Sequence, residues 1–262
     1  MKTKYDFDIV VPVISYHVKY LKDLLINISN FTIKPRKLIL IVSNQKNYIN
    51  INFKNFLPST RIITKIFKKK MQQGIAKNLG ATFTTSKWIF FLDADDLYST
   101  TLAKVGIDTC NKFNLDALIF SFKVISKKKD FEKHKNLNHQ KLSNYNLKSE
   151  IFHKESLIKF NINNGQGPLI IKSNKKTGVG HGSIIVKRKA FNDLKYAKTF
   201  YDEDTRLVRM ILESKFNISF LNEKMLFYRN ILSARNEVLK SRTFLEKISF
   251  FIKNKFFFFN IC

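Results

Sequence analysis

Cysteine, proline and glycine are all sparse in this chain: 2, 4 and 8 residues respectively among 262. Cys110 and Cys262 are too few and too far apart for a disulfide framework, which excludes a small stapled secreted domain. The low Gly and Pro content excludes collagen-like and low-complexity chains. No apolar run reaches the length of a membrane span. Residues 1–8 mix acidic and basic groups, and the apolar stretch after them is short and holds Pro12, so it reads as a strand rather than a secretory signal. Gly-x-x-x-x-Gly-Lys, Gly-x-Gly-x-x-Gly and a Ser or Cys nucleophile elbow are all missing, and no internal repeat is visible.

Acidic residues are also in short supply, with 20 Asp and Glu against 47 Lys and Arg, a formal net charge of +27. That excess points to anionic partners: nucleic acid, acidic lipid or phosphorylated substrates. A second origin competes evenly, because Lys, Asn, Ile and Phe are all abundant and all have A/T-rich codons. The charge favours anionic surfaces whichever origin holds. The basic residues are spread widely, without an RRM, KH or zinc-finger pattern, so no nucleic-acid partner is expected. Asn-x-Ser/Thr sequons begin at Asn27, Asn30 and Asn217, a pattern frequent by chance in an Asn-rich chain.

The chain is 44% hydrophobic and 14% aromatic, enough for one large domain or two small ones. Residues 8–13 and 37–42 read as strands buried on both faces. Residues 18–28 carry Leu21, Leu24, Leu25 and Ile28 at helical spacing. A weaker strand over 61–67 is followed by Lys68, Lys69 and Lys70, then a helix over 74–81 rich in small residues, then a strand over 88–92. Continuous apolar strands alternating with amphipathic helices imply a parallel sheet covered on both sides, of the Rossmann kind. Further on, the pattern predicts a helix over 102–113, a strand over 116–125 and a polar surface excursion over 126–148. A glycine-rich region of turns holds Gly165, Gly167, Gly178, Gly180 and Gly182. A strand over 183–186, a helix in the second half of 200–213 and a strand within 218–227 follow. Residues 243–262 place Phe244, Ile248, Phe251, Ile252, Phe256 and Phe259 at helical spacing between lysines. Such a segment suits either a membrane interface or a helix capping the core.

The most informative stretch is Trp88-Ile89-Phe90-Phe91-Leu92-Asp93-Ala94-Asp95-Asp96. Three carboxylates arrive where a buried strand ends, and burying them unpaired is costly. At that edge of an α/β sheet they form instead a hard-oxygen site for Mg²⁺ or Mn²⁺. Asp95 is placed to bind the ion directly, and Asp93 to reach a ribose hydroxyl or a metal-bound water. A divalent ion there would neutralise the charge that grows when a sugar leaves a diphosphate. Asp202, Glu203 and Asp204 precede an apolar helical pattern; acids there suit a helix N-terminus, or one serves as a general base. His134 and His139 sit in a Lys/Asn-rich stretch with no cysteines nearby, so no zinc site is expected. His181, between two glycines, reads as a turn residue or as a wall of an acceptor site.

Together these residues resemble family 2 glycosyltransferases of the GT-A fold. Asp8-Ile9-Val10-Val11-Pro12-Val13 resembles the family's first strand. Gly74-Ile75-Ala76-Lys77-Asn78-Leu79-Gly80, with the later run into Asp93-Ala94-Asp95-Asp96, resembles its most diagnostic block. Asp202-Glu203-Asp204 looks like its Glu-Asp motif, and Tyr228-Arg229 like its Tyr-Arg pair. The likeness covers residues 8–235. It implies an α/β GT-A fold with a Rossmann-type, mostly parallel central sheet and helices on both faces. It implies transfer of a hexosyl or hexosaminyl unit from a nucleotide-diphosphate donor, a UDP-sugar foremost, to a hydroxyl, usually with inversion. By matched position Asp95 and Asp93 would hold Mn²⁺ or Mg²⁺. Pro12, Ser43, Asn44, Gly74, Lys77, Asn78, Asp93 and Ala94 would line the donor site. Asp204 would be the base, with Glu203 as orienter or fallback.

Three positions depart from the family pattern. Ser43-Asn44-Gln45 replaces an Asp-Asp-Gly-Ser-like turn that contacts the base, Lys77 replaces an arginine, and Asn230 replaces a histidine. Residues 1–100 are expected to form the nucleotide-sugar-binding half and residues 101–235 the acceptor-binding, catalytic half of one domain. Residues 236–262 are expected to be a basic Phe-rich tail suited to an anionic membrane. The acceptor expected is a glycan or lipid-linked glycan, and the location cytoplasmic, peripheral on a membrane. The competing functions are a membrane-docked glycan-binding protein without catalysis and a basic nucleic-acid-binding protein. The enzymatic reading requires Asp93 and Asp95 to face the cleft rather than to be locked against Lys and Arg.

Overall fold

The computed structural model describes residues 4–44, 53–125, 129, 151–153, 169–172, 175–178, 184–198 and 203–229. Its first half is four parallel strands: β1 (Phe7–Ile14), β2 (Lys37–Ser43), β3 (Arg61–Phe67) and β4 (Trp88–Phe91). After these come β5 (Leu97–Tyr98), β6 (Ala117–Ile125), β7 (Ile151–His153), β8 (Leu169–Lys172), β9 (Lys175–Gly178), β10 (Ile184–Lys187) and β11 (Ile218–Arg229). One sheet runs β3-β2-β1-β4-β10-β6-β11-β5, with β7 also on β11, and β8 pairs β9 in a separate hairpin. Strands from before and after residue 100 therefore share one sheet. β6 and β11 continue the parallel theme, whereas β10 runs antiparallel to both its neighbours.

Among the described residues five α-helices cover the sheet: α1 (Leu21–Ser29), α2 (Gln73–Ala81), α3 (Leu102–Lys112), α4 (Arg188–Asp193) and α5 (Glu203–Glu213). The strands alternate between two apolar layers. Phe7, Ile9, Val11, Leu38, Leu40 and Phe90 pack on Leu21, Leu24, Leu25 and Ile28 of α1 and on Leu102 and Ile107 of α3. Val10, Ile39, Ile41, Ile89 and Phe91 pack on Ala76 of α2, Phe191 of α4 and Leu207, Val208 and Ile211 of α5. Burial on both faces is why β1, β2 and β4 read as unbroken apolar runs. α2 comes especially close to the sheet: a Cβ on Gly80 would lie 2.3 Å from Cγ1 of Val10. Asp8 is fully buried on β1, where its carboxylate accepts from the backbone N–H groups of Thr85 and Ser86 and from the Ser86 hydroxyl, pinning the loop into β4.

Several details differ from the sequence pattern. The helix expected over 18–28 is a tight 3₁₀ segment, Ser15–Tyr20, running into α1. No side chain caps either start, and short i→i+3 bonds take up backbone groups instead. β5 and α4 are too short to show a period. The direction of β10 is not encoded in Ile184-Ile185-Val186, because a strand buried on both faces looks the same either way. Gln45, Asp202, Asn230, His134, His139, His181, Gly165, Gly167, Gly180, Gly182, Cys262 and the tail over 236–262 lie outside the described residues, as does the 126–148 excursion except for Lys129. Among the described residues no helix is long and apolar enough to cross a membrane.

Candidate active site

From β1 the chain builds outward to β2 and β3, then returns to place β4 on the other side of β1. That reversal opens a crevice at the carboxyl ends of β1 and β4, the place where ligands bind in open α/β sheets. The acidic turn lies there. Its backbone is fixed by Tyr98 on β5, whose hydroxyl accepts from the Asp93 N–H at 2.6 Å and donates to the Asp93 carbonyl at 3.2 Å. Ala94 is buried beneath it.

The three carboxylates of the turn have different fates. Asp96 is 2% exposed and accepts from the backbone N–H of Arg229 at 2.8 Å. Burial, with Asp95 and Asp93 close by, pushes its carboxyl well above the usual range. It belongs to the scaffold. Arg229 extends that scaffold: its Nε donates to the Asp95 carbonyl at 2.7 Å and its Nη2 to Asp23 at 3.3 Å, while its guanidinium lies 4.1 Å from the centre of the Tyr20 ring. Asp95 keeps its carboxylate out of these bonds, with Oδ2 3.5 Å from Nε2 of His17. Asp93 accepts from Gln73 Nε2 at 2.7 Å and lies 3.8 Å from Nζ of Lys77. Among the described residues the expected freedom from Lys and Arg therefore holds for Asp95 but not for Asp93, whose pairing with Lys77 counts against it as a metal ligand. Burial raises the Asp93 carboxyl to about 7; Lys77 opposes the shift, and Asp204, Asp95 and Glu203 add to it.

Lys77 joins the two ends of the site. It is completely buried on α2, yet its Nζ lies 2.5 Å from Asp204, 3.8 Å from Asp93 and 3.9 Å from Glu203. The Tyr196 ring covers it at 4.8 Å. Burial works against an ammonium here, but Asp204 and Asp93 more than offset it, and the group is held well above its ordinary pKa. Glu203 and Asp204 occupy the first turn of α5, where the helix dipole favours carboxylates. Gly74 lets α2 meet that turn. A Cβ there would sit 2.6 Å from the Ala197 carbonyl and 3.2 Å from Cβ of Glu203.

The residues expected at the donor site fall into two groups. Asp93, Asp95, Lys77, Gly74, Glu203 and Asp204 are gathered into one cluster with its neighbours. Pro12 and Ser43 are buried in β1 and β2, paired side by side with Ile41 and Ile14. Asn44 ends β2 in the left-handed region at φ 58°, with its side chain donating to Ser15 Oγ at 3.3 Å. Asn78 clamps the backbone of Tyr196, donating to its carbonyl and accepting from its N–H, each at 2.9 Å. Gln73, Tyr98, Tyr196 and His17 had no signal in the sequence. Only Gln73 stands beside a motif residue, and the others arrive from β5, the loop before α5 and the 3₁₀ segment.

Among the described residues no three His, Cys, Asp or Glu side chains form a complete metal cage. A hard divalent ion does not need one when phosphate oxygens supply the remaining ligands, since one or two carboxylates suffice. Asp95 fits that role: its side chain is partly exposed at the cleft, and among the described residues no Lys or Arg lies within ion-pair distance of its carboxylate.

A crevice lined by this turn, at the switch point of such a sheet, defines a GT-A glycosyltransferase-like domain. The family model for glycosyl transferase family 2 matches residues 8–194, and the chain belongs to that family. Solved structures agree on the fold. Residues 1–349 of S. aureus TarS superpose with a TM-score of 0.60 at 12% identity, over 85% of this chain and 60% of that one. The same TarS region in complex with UDP gives 0.57 at 13% identity, over 88% and 62%. The mannosyltransferase PcManGT from Pyrobaculum calidifontis, in complex with GDP-Man and Mn²⁺, gives 0.55 at 12% identity, over 83% and 54%. The chain thus spans about 60% of the length of the TarS region it matches. No curated protein matches the sequence.

Proposed function

We propose that this protein transfers a hexosyl or hexosaminyl unit from a nucleotide-diphosphate sugar to a hydroxyl of a glycan or lipid-linked glycan, with inversion. The observation that carries the reading is the cluster around Lys77. One buried ammonium lies within 3.9 Å of Asp93, at the donor end, and of Glu203 and Asp204, at the acceptor end. The two ends are 110 and more residues apart in sequence, so the fold rather than one local motif brings these acids to the crevice.

Asp204 acts as the base. Its ion pair with Lys77 fixes one carboxylate oxygen, and the other is left to take the acceptor hydroxyl's proton as it attacks. Glu203 beside it serves as orienter or fallback base. Asp93 orients the donor through the crevice, with Gln73 and Tyr98 setting its carboxylate and backbone. Asp95 would hold Mn²⁺ or Mg²⁺, which would supply positive charge to offset that of the leaving diphosphate. Asn44 and Ser43 lie at the end of β2, where a base is read. A UDP-sugar is the first donor to try, since TarS was solved with UDP and UDP-GlcNAc, and PcManGT with GDP-Man and Mn²⁺ is the second model. The net charge of +27 favours an acceptor at an anionic membrane surface.

The test is turnover of a panel of UDP- and GDP-sugars with Mn²⁺, measured as release of the nucleoside diphosphate. The reading expects one donor to be consumed by the wild type and the rate to fall at least a hundredfold in Asp95→Ala. Equal turnover by both proteins would remove the metal role from Asp95.

A further inference from the structure

We infer that His17 is a second protein ligand to the divalent ion, giving the site one imidazole nitrogen beside the Asp95 carboxylate. This inference rests on the metal-dependent reading of the same crevice.

The geometry begins with a distance. His17 Nε2 and Asp95 Oδ2 are 3.5 Å apart, with both side chains only partly exposed, at 14% and 21%. An N–H···O⁻ bond closes to about 2.7–2.9 Å. This pair stands too far apart for one and too near for indifference. Donors about 2.1 Å from a shared ion lie about 3.0 Å apart at right angles and about 3.4 Å apart at a tetrahedral angle. The observed gap is near the second spacing and about 0.5 Å wider than the right-angle spacing of octahedral Mn²⁺ or Mg²⁺, so the pair must draw in by about that much to share the ion.

Both donors are held in place from outside the pair. His17 sits in the 3₁₀ segment Ser15–Tyr20 at the carboxyl end of β1, its ring edge-on to Tyr16 at 4.3 Å and tilted against Tyr20 at 6.4 Å. Tyr20 in turn lies under the Arg229 guanidinium, and Arg229 Nε fixes the Asp95 carbonyl. One arginine therefore ties the histidine-bearing segment to the acidic turn. Its Nη2 pairs with Asp23 at 3.3 Å. Pre-positioned donors of this kind cost little reorganisation when an ion arrives.

The ligand chemistry has a consequence. Carboxylates and water suit Mg²⁺, whereas an imidazole shifts preference towards transition ions. The mixed site should favour Mn²⁺ over Mg²⁺, and His17 should carry that preference.

The experiment measures Mn²⁺ binding by electron paramagnetic resonance, with UDP present, for wild type, His17→Ala, His17→Gln and Asp95→Asn. Pulsed spectra are recorded for ¹⁴N coupling to the bound ion, and thermal melting confirms folding of each variant. The expected result is an imidazole nitrogen coupling in the wild type that both His17 variants lack. Their Mn²⁺ affinity should be at least tenfold weaker, with a smaller Mn²⁺-over-Mg²⁺ ratio. Retained affinity in His17→Gln and His17→Ala, with no nitrogen coupling in the wild type and binding lost in Asp95→Asn, overturns the role of His17 alone and leaves the metal site standing. A wild type that binds no Mn²⁺ with UDP, nor with GDP in a parallel series, overturns both.

Discussion

Asp204, in the first turn of α5, is paired with Lys77, on the buried face of α2, at 2.5 Å. Three features bring them together. Gly74 admits the approach of α5, Asn78 clamps the Tyr196 backbone, and the Tyr196 ring closes over the ammonium. A lysine at this depth is stable only because acids surround it.

Removing that ammonium leaves Asp93, Glu203 and Asp204 without their shared counter-charge. Lys77→Met is expected to cost about 3–5 kcal/mol in urea unfolding. Adding Asp204→Asn to Lys77→Met should restore part of that loss, because one of the stranded charges is gone. A double-mutant cycle measures the coupling, and strict additivity would mean that the pair contributes nothing as a pair.

The Asp93 carboxyl, raised to about 7 by burial, makes a statement about pH. The folded state holds its proton where the unfolded chain, titrating near 4, has lost it. Between about pH 4 and 7 the native state therefore binds more protons, and stability falls as pH rises through that window. Asp96 is shifted in the same direction. In metal-free protein, Asp93→Asn should flatten the decline between pH 5 and 7 by up to about 1.4 kcal/mol per pH unit. Urea midpoints across that range decide it, and an unchanged slope would show that Asp93 is ionised throughout.

Gly80 sets the distance between α2 and β1. In Gly80→Ala the added Cβ meets Val10 Cγ1 at 2.3 Å, and overpacking of about 1–3 kcal/mol outweighs the roughly 1 kcal/mol of helix propensity gained. Gly106→Ala faces the far end of the Ile185 side chain, at 2.2 Å from Cδ1, which can turn aside. The first substitution should lower the melting temperature more than the second; the reverse order would contradict the packing.

Arg229 carries three interactions that a lysine cannot reproduce together: Nε to the Asp95 carbonyl, Nη2 to Asp23 and stacking on Tyr20. Arg229→Lys should retain the fold, lose about 2 kcal/mol, and lower kcat at least tenfold through a loosened turn. Donor-release kinetics and melting curves separate the two effects.

The first half of the fold was readable because β1, β2 and β4 are apolar on both faces and α2 is bounded by Gly74 and Gly80. The acidic turn was readable because carboxylates cannot follow a buried strand without a reason. The division of labour among those carboxylates was not. Whether Asp96 or Asp95 is used up by the scaffold depends on Arg229, which joins the turn from the far end of β11. Lys77 was expected at the donor and is found completely buried, its nearest partner being Asp204; only the α2–α5 contact reveals that. His17 came with no motif at all, because its relation to Asp95 exists only once the 3₁₀ segment folds over the crevice.

If Asp204 removes the acceptor proton, its loss slows the chemical step itself. Single-turnover transfer by Asp204→Asn, with the donor from the panel and saturating Mn²⁺, tests it most directly. The chemical step should be about 10²–10⁴ slower. A chemical step at the wild-type rate would contradict it.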